Sequence, residues 1–253
     1  MISQARATLP EDFREIISVQ NERGQLALVV GGHAANLWAG YYQAREPELE
    51  SLGPFVSKDL DFLGDQRTVW QLAERLGTPP KRPGRGEASP MVAWFDFQTK
   101  SDIATRVEVL FSVYGLAPAE LEAGAAVIQS PQIGSQVRLP NTLTCLKMKT
   151  HNAVGLDQAR RQDVKHVKML ILCNRGFLRD VLADCEAGKV SERTFIKAVE
   201  ALFVFVRSEI ASSGARKFGF DWTKAFPIQE LLNSPLPRVQ NFVDHRLRPA
   251  FSL

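Results

Sequence analysis

Two periodicities divide the chain. Up to about residue 140, short apolar runs are continuous or alternate with polar residues, as strands do; beyond it, apolar residues recur every three to four positions, as helices require. LALVV (26–30) reads as a buried strand running directly into Gly31 and Gly32, and HAANLWAGYYQ (33–43) resumes a helical pattern. The unit is strand, glycine turn, helix. A second strand follows at about 58–63, then a helix over 68–77 stopped by Gly77 and two prolines. The Pro-, Gly- and Arg/Lys-rich stretch 78–90 predicts a loop. MVAWFDFQ (91–98) and TRVEVLFSV (105–113), joined by a polar turn, predict an antiparallel pair, and SQVRLP adds a short strand near 140. Before all of these, Thr8 to Glu11 has a capping-box pattern, and Phe13, Ile16 and Ile17 follow at helical spacing, so a first helix is expected to run toward Gly24.

From Asn141 onward the pattern predicts helices over 141–154, 157–174, about 177–186 and 191–212. The tail from Phe218 carries four of the fourteen prolines and predicts short helices and turns. The expected fold class is therefore α+β, with a mixed α/β half (1–140) followed by an all-helical half (141–253). No internal repeat is evident.

Composition adds little to this except by exclusion. A chain of 253 residues, 45% hydrophobic, can bury a sizeable core, and disorder is not expected. The longest apolar runs fall far short of a bilayer span and MISQARATLPEDF has no apolar signal core, so a soluble cytoplasmic protein without membrane contact is expected. Cys145, Cys173 and Cys185 are odd in number, far apart and without a C-x-x-C pair, which argues against a disulfide framework or a zinc site. The net charge of +3 is mild but uneven. Asn141 to Arg179 holds eight basic residues against Asp157 and Asp163, a local excess that suggests a polyanion held near metal ions.

The candidate chemistry lies in the first half. In SKDLDFLGD (57–65), alternation sends Asp59 and Asp61 to one face of a strand and Leu60 and Phe62 to the other. Adjacent like charges need compensation, either from solvent on an exposed face or from a cation. Alternation in RVEVLFSV likewise turns Glu108 away from Val107 and Val109, while Asp96 competes with it for the place of a third carboxylate. Gly31 and Gly32 would leave backbone N–H groups open to an anion at the start of a helix, although neither a P-loop nor a G-x-G-x-x-G fingerprint is present. Three hard oxygen donors on a fixed sheet suit Mg²⁺ or Mn²⁺. The histidines are weaker clues: His33 follows the glycine pair, and His151, His166 and His245 have no metal-ligand spacing.

In that order, Gly31, Gly32, Asp59, Asp61 and Glu108 resemble the nucleotidyltransferase superfamily with the DNA polymerase β-like fold. The stretch LTCLKMKTHNAVGLDQARRQDVKHVKMLI is similar to the region after the catalytic core in AbiEii-type members, and the likeness spans about 26–172. The resemblance implies a mixed-sheet core, catalytic and metal-binding roles for Asp59, Asp61 and Glu108, and an NTP bound by Gly31, Gly32 and Lys149, with Lys147 as the alternative and Asp163 near the pocket. It implies Mg²⁺ or Mn²⁺ as cofactor, transfer of NMP to a hydroxyl of RNA (tRNA) or protein with pyrophosphate release, and a toxin role opposite a cognate antitoxin. The chain differs from the family pattern in a long gap between Gly32 and Asp59, in lacking a serine beside the glycine pair, and in having Glu as its third acid. Two alternatives stand beside this reading: a catalytically silent module of the same fold that binds RNA or protein through the basic stretch, and a hydrolase using the same acids.

Overall fold

The structure, a computed structural model, describes residues 7–251; the first six residues of the stretch read for a signal core lie outside them. Six strands form one mixed sheet: β1 (Leu28–Val30), β2 (Asp59–Leu63), β3 (Met91–Gln98), β4 (Ala104–Leu110), β5 (Ala125–Gln129) and β6 (Gln136–Pro140), in the order β3-β4-β2-β1-β6-β5. β1 runs antiparallel to β2 and parallel to β6, β2 runs parallel to β4, and β3–β4 is the expected antiparallel pair. After Pro140 the only regular elements among the described residues are helices: α4 (Thr142–Gly155), α5 (Asp163–Glu186), α6 (Glu192–Val206), α7 (Glu209–Phe218), and short turns of helix to Phe251. The first half contributes α1 (Gly31–Tyr42), α2 (Gln66–Leu76) and α3 (Pro118–Ala123). Among the described residues, no helix is long and apolar enough to cross a membrane.

The two faces of the sheet have different fates. Leu60 and Phe62 on β2 and Val107 and Val109 on β4 are fully buried and join α1, α5 and the later helices in one continuous apolar core. On the opposite face, Leu28, Val30 and Leu63 meet Leu121 of α3 and Met148 of α4 in a smaller cluster. That cluster covers only part of the face. The rest of it carries Asp59, Asp61 and Glu108. All three cysteines are buried and free.

Four expected helices differ. The helix from Thr8 toward Gly24 is only a 3-10 turn, Pro10–Phe13, and a few looser turns. Thr8 does not cap it: its backbone pairs with Ser57 and its hydroxyl donates to the Ser57 carbonyl at 2.9 Å. A bridge between Gln20 and Leu26 turns the chain back before a helix could extend, although Phe13, Ile16 and Ile17 are buried as their spacing implies. The helices expected at 157–174 and 177–186 are one 24-residue helix, α5, in which Gly176 packs against Tyr42 instead of ending it. The helix expected over 191–212 is two, because Ser208 accepts from the Ala211 N–H and starts α7 afresh. The alternation gave no sign of β5, a five-residue edge strand.

Candidate functional site

Strand register assembles the site. β2 pairs with β1 so that Asp61 lies beside Val30, the residue before Gly31, and with β4 so that Asp61 lies beside Glu108 and Asp59 beside Arg106. Laterally paired residues project to the same face, neighbouring strands are about 4.8 Å apart and alternate residues along a strand about 6.6 Å apart, so the three carboxylates are close neighbours. They line one cavity of about 440 Å³ together with Gly31, Gly32, Ser57, Lys149, Asp163 and His166.

Gly31 and Asp61 are in direct contact. Gly31 has φ +67°, and a side chain there would begin 1.8 Å from Asp61 Oδ2. The carboxylate therefore rests on the backbone at the start of α1, a place open only because residue 31 is glycine. α1 has no side-chain cap, so the N–H groups of its first turn remain available at the cavity.

The electrostatics of this wall are unbalanced. Burial raises Asp61 well above its ordinary value, and the charges of Asp59 and Glu108 push it further. Asp59 is raised by burial against the opposing pull of Lys149, Lys58 and Arg161, and Glu108 is raised by burial and by Asp59. On the facing wall the carboxylate is paired. Lys149, 4% exposed, donates to Asp163 Oδ1 at 2.9 Å, and Arg161 Nε donates to Oδ2 at 2.5 Å. Burial alone would raise Asp163, but Lys149 and Arg161 hold it below its ordinary value.

The remaining sequence candidates are sorted by the same geometry. Lys147 lies outside the cavity and bonds Glu120 Oε1 at 2.9 Å, so of the two lysines only Lys149 faces the site. Asp96, the rival to Glu108, pairs with Arg106 in register, is exposed and bonds Lys81, and does not line this cavity. The basic stretch is largely consumed within the protein. Arg175 and Arg179 close on the buried Glu46 at 2.5 Å each, Lys165 donates to the Pro54 carbonyl, and only Lys149, Arg160 and Arg161 of the eight cations line the cavity. A second hollow, of about 570 Å³ and lined by Gln98, Thr105 and Arg106, shares Lys58 and Asp59 with the first.

Ser57, Arg161 and His166 were not among the sequence candidates. Ser57 shares parity with Asp59 and Asp61, and His166 lies one turn after Asp163, so alternation and helical spacing respectively could have pointed to them.

Among the described residues, no three His, Cys, Asp or Glu side chains converge closely enough to hold a metal ion. The donor set nevertheless fits a hard divalent cation in its chemistry: three carboxylates, no sulfur or imidazole between them, each raised by burial and two of them further by neighbouring acids. No known protein family, curated protein or solved structure matches the chain.

Proposed function

We propose that this protein is a metal-dependent nucleotidyltransferase that moves NMP from an NTP to a hydroxyl acceptor. The observation that carries this reading is the lateral alignment of Asp61 with Glu108, one alternate position from Asp59, against the glycine start of α1. Buried carboxylates that repel one another are poor structural elements and good hosts for positive charge.

A divalent cation held by Asp59, Asp61 and Glu108 would neutralise the triphosphate and acidify the attacking hydroxyl. The chain's own groups do the rest. N–H groups at Gly31 and Gly32 and the positive end of α1 receive phosphate oxygens. Lys149, fixed by Asp163, adds a positive charge that needs no reorganisation when charge develops on the substrate. Glu108, the third carboxylate, helps to deprotonate the acceptor hydroxyl. The new bond joins the acceptor oxygen to the α-phosphorus, the bond to the bridging oxygen breaks, and pyrophosphate leaves. The hollow beyond Asp59 offers the acceptor its approach, with Lys58 and Arg106 at its edge.

The test is transfer of label from each α-labelled NTP, with Mg²⁺ or Mn²⁺, to RNA and to protein. Label transfer accompanied by pyrophosphate, and lost in Asp59→Ala and Asp61→Ala, is expected. Product without pyrophosphate would favour a hydrolase, and transfer that survives both substitutions would remove these acids from the chemistry.

A further inference from the structure

The cations counted in 141–179 are largely spent inside the protein; an unspent set lies elsewhere. Arg193 and Lys197, one turn apart on α6, share a hollow of about 540 Å³ with Arg238 of the short helix Pro237–Phe242 and Arg246 of the turn Val243–Leu247. All four are exposed. Among the described residues, none of the four side chains has a hydrogen bond or ion pair to the protein; the one bond at Arg238 is made by its backbone.

One acid, Glu200, lines the hollow with them. Of the acids nearby in the chain, Glu192 accepts the Arg238 backbone N–H at 3.0 Å and Asp244 pairs with Arg248 at 3.1 Å. Arg246 lies over the Phe203 ring, 5.6 Å from its centroid, a contact that positions the guanidinium and leaves its charge unneutralised. Four cations around one hollow repel one another, one acid does not offset them, and the surplus attracts an anion. That anion is not the nucleotide. α5 runs about 35 Å from Asp163 at the cavity to Glu186. Glu186 accepts from Ser234 at 2.9 Å, three residues before the helix that bears Arg238. The hollow therefore lies at the far end of α5 from the three acids, beyond the span of one NTP and within that of a polymer.

We propose that this hollow binds the phosphodiester backbone of a nucleic acid, without regard to base sequence. Three of the four cations are Arg, whose planar fork matches phosphate oxygens. Phe242, the one phenyl ring in the lining, is 5% exposed and is no platform for a base, so the contacts are to backbone. A duplex carries a negative charge for about every 1.7 Å of its axis, a density that suits this surplus better than the mixed charges of a protein surface. Binding here needs neither NTP nor metal and stands apart from the transfer chemistry.

The probe is a short fluorescein-labelled RNA duplex of mixed sequence, followed by anisotropy with the full chain at several salt concentrations, without NTP or divalent metal. Four phosphate contacts give a slope of log K against log salt of about −3 to −4, so affinity should fall roughly a hundredfold from about 50 to 200 mM salt. Arg193→Gln, Lys197→Gln and Arg238→Gln, all at exposed positions, should each weaken binding and reduce the slope by about 1, with Tm unchanged. Lys168→Gln, an exposed cation of the 141–179 stretch, should leave affinity and slope as in wild type. No binding by wild type at low salt, slopes unchanged in the three variants, or an equal loss in Lys168→Gln would overturn the assignment. Polyglutamate that displaces the probe as well as unlabelled duplex does would also overturn it, in favour of an acidic protein. None of these outcomes bears on label transfer, which is measured separately.

Discussion

Two walls of one cavity hold buried carboxylates under opposite conditions. On the helical wall, Asp163 is clasped by Lys149 and Arg161, which hold its pKa down. On the sheet wall, burial and the neighbouring Asp59 and Glu108 hold the pKa of Asp61 well up, against a smaller opposing pull from Lys149 and Arg161. The same residue type in the same hollow is in one case a finished ion pair and in the other an unmet demand for positive charge. The difference separates a carboxylate that supports the fold from one that the fold tolerates for another purpose.

The largest effect that would break this contrast is on the helical wall. Asp163→Asn leaves Lys149 buried without its counter-charge and is expected to cost about 3–5 kcal/mol in denaturant unfolding, the usual consequence of removing one partner of a buried pair. Asp61→Asn should do the reverse. It removes a repelled charge, so a gain of about 0.5–2 kcal/mol is expected at neutral pH alongside loss of transfer activity. A destabilised Asp61→Asn protein would mean that the carboxylate is structurally compensated after all.

Titration acts with opposite signs on the two walls. A raised carboxylate binds its proton more readily in the folded state, so its contribution to stability is fully present below the unfolded value, ordinarily 3.8 for Asp61, and is lost as pH rises through the raised folded value. The advantage of Asp61→Asn over wild type should therefore shrink as pH falls from neutrality into that window. A depressed carboxylate contributes above its unfolded value and loses the contribution as pH falls through its lower folded value, so the Asp163 pair should fail only below about pH 4. Thermal unfolding of both variants across pH checks the signs. The smallest effect is reserved for Lys147, whose partly exposed pair with Glu120 lies outside the cavity: Lys147→Ala should change stability by at most about 1 kcal/mol and leave transfer intact.

Much of the sheet wall was legible in the sequence because it depends on local alternation. The parity of Asp59 and Asp61 against Leu60 and Phe62, and of Glu108 against Val107 and Val109, predicts the faces that the sheet adopts. Alternation could not choose between Glu108 and Asp96, since each faces away from its apolar neighbours; the parallel pairing of β2 with β4 makes that choice, and pairing is a long-range property. The helical wall was less legible. A charge count made 141–179 a basic patch, but whether Arg175 reaches Glu46 or solvent depends on chain segments about 130 residues apart. His166 was passed over for want of ligand spacing, and its place at the cavity follows only from packing. Helix breaks failed for a related reason: Gly176 continues α5 because Tyr42 occupies the space its side chain would need.

On the proposed reading, the sheet wall of Asp59, Asp61 and Glu108 receives a divalent cation. Thermal unfolding of wild type and Asp61→Asn with and without Mn²⁺ at neutral pH tests it most directly, since a ligand of the folded state raises Tm in proportion to its occupancy. Mn²⁺ is expected to raise the Tm of wild type, and Asp61→Asn, more stable without the ion, to gain little from it. An equal Mn²⁺ shift in both proteins, or none in the wild type, would contradict it.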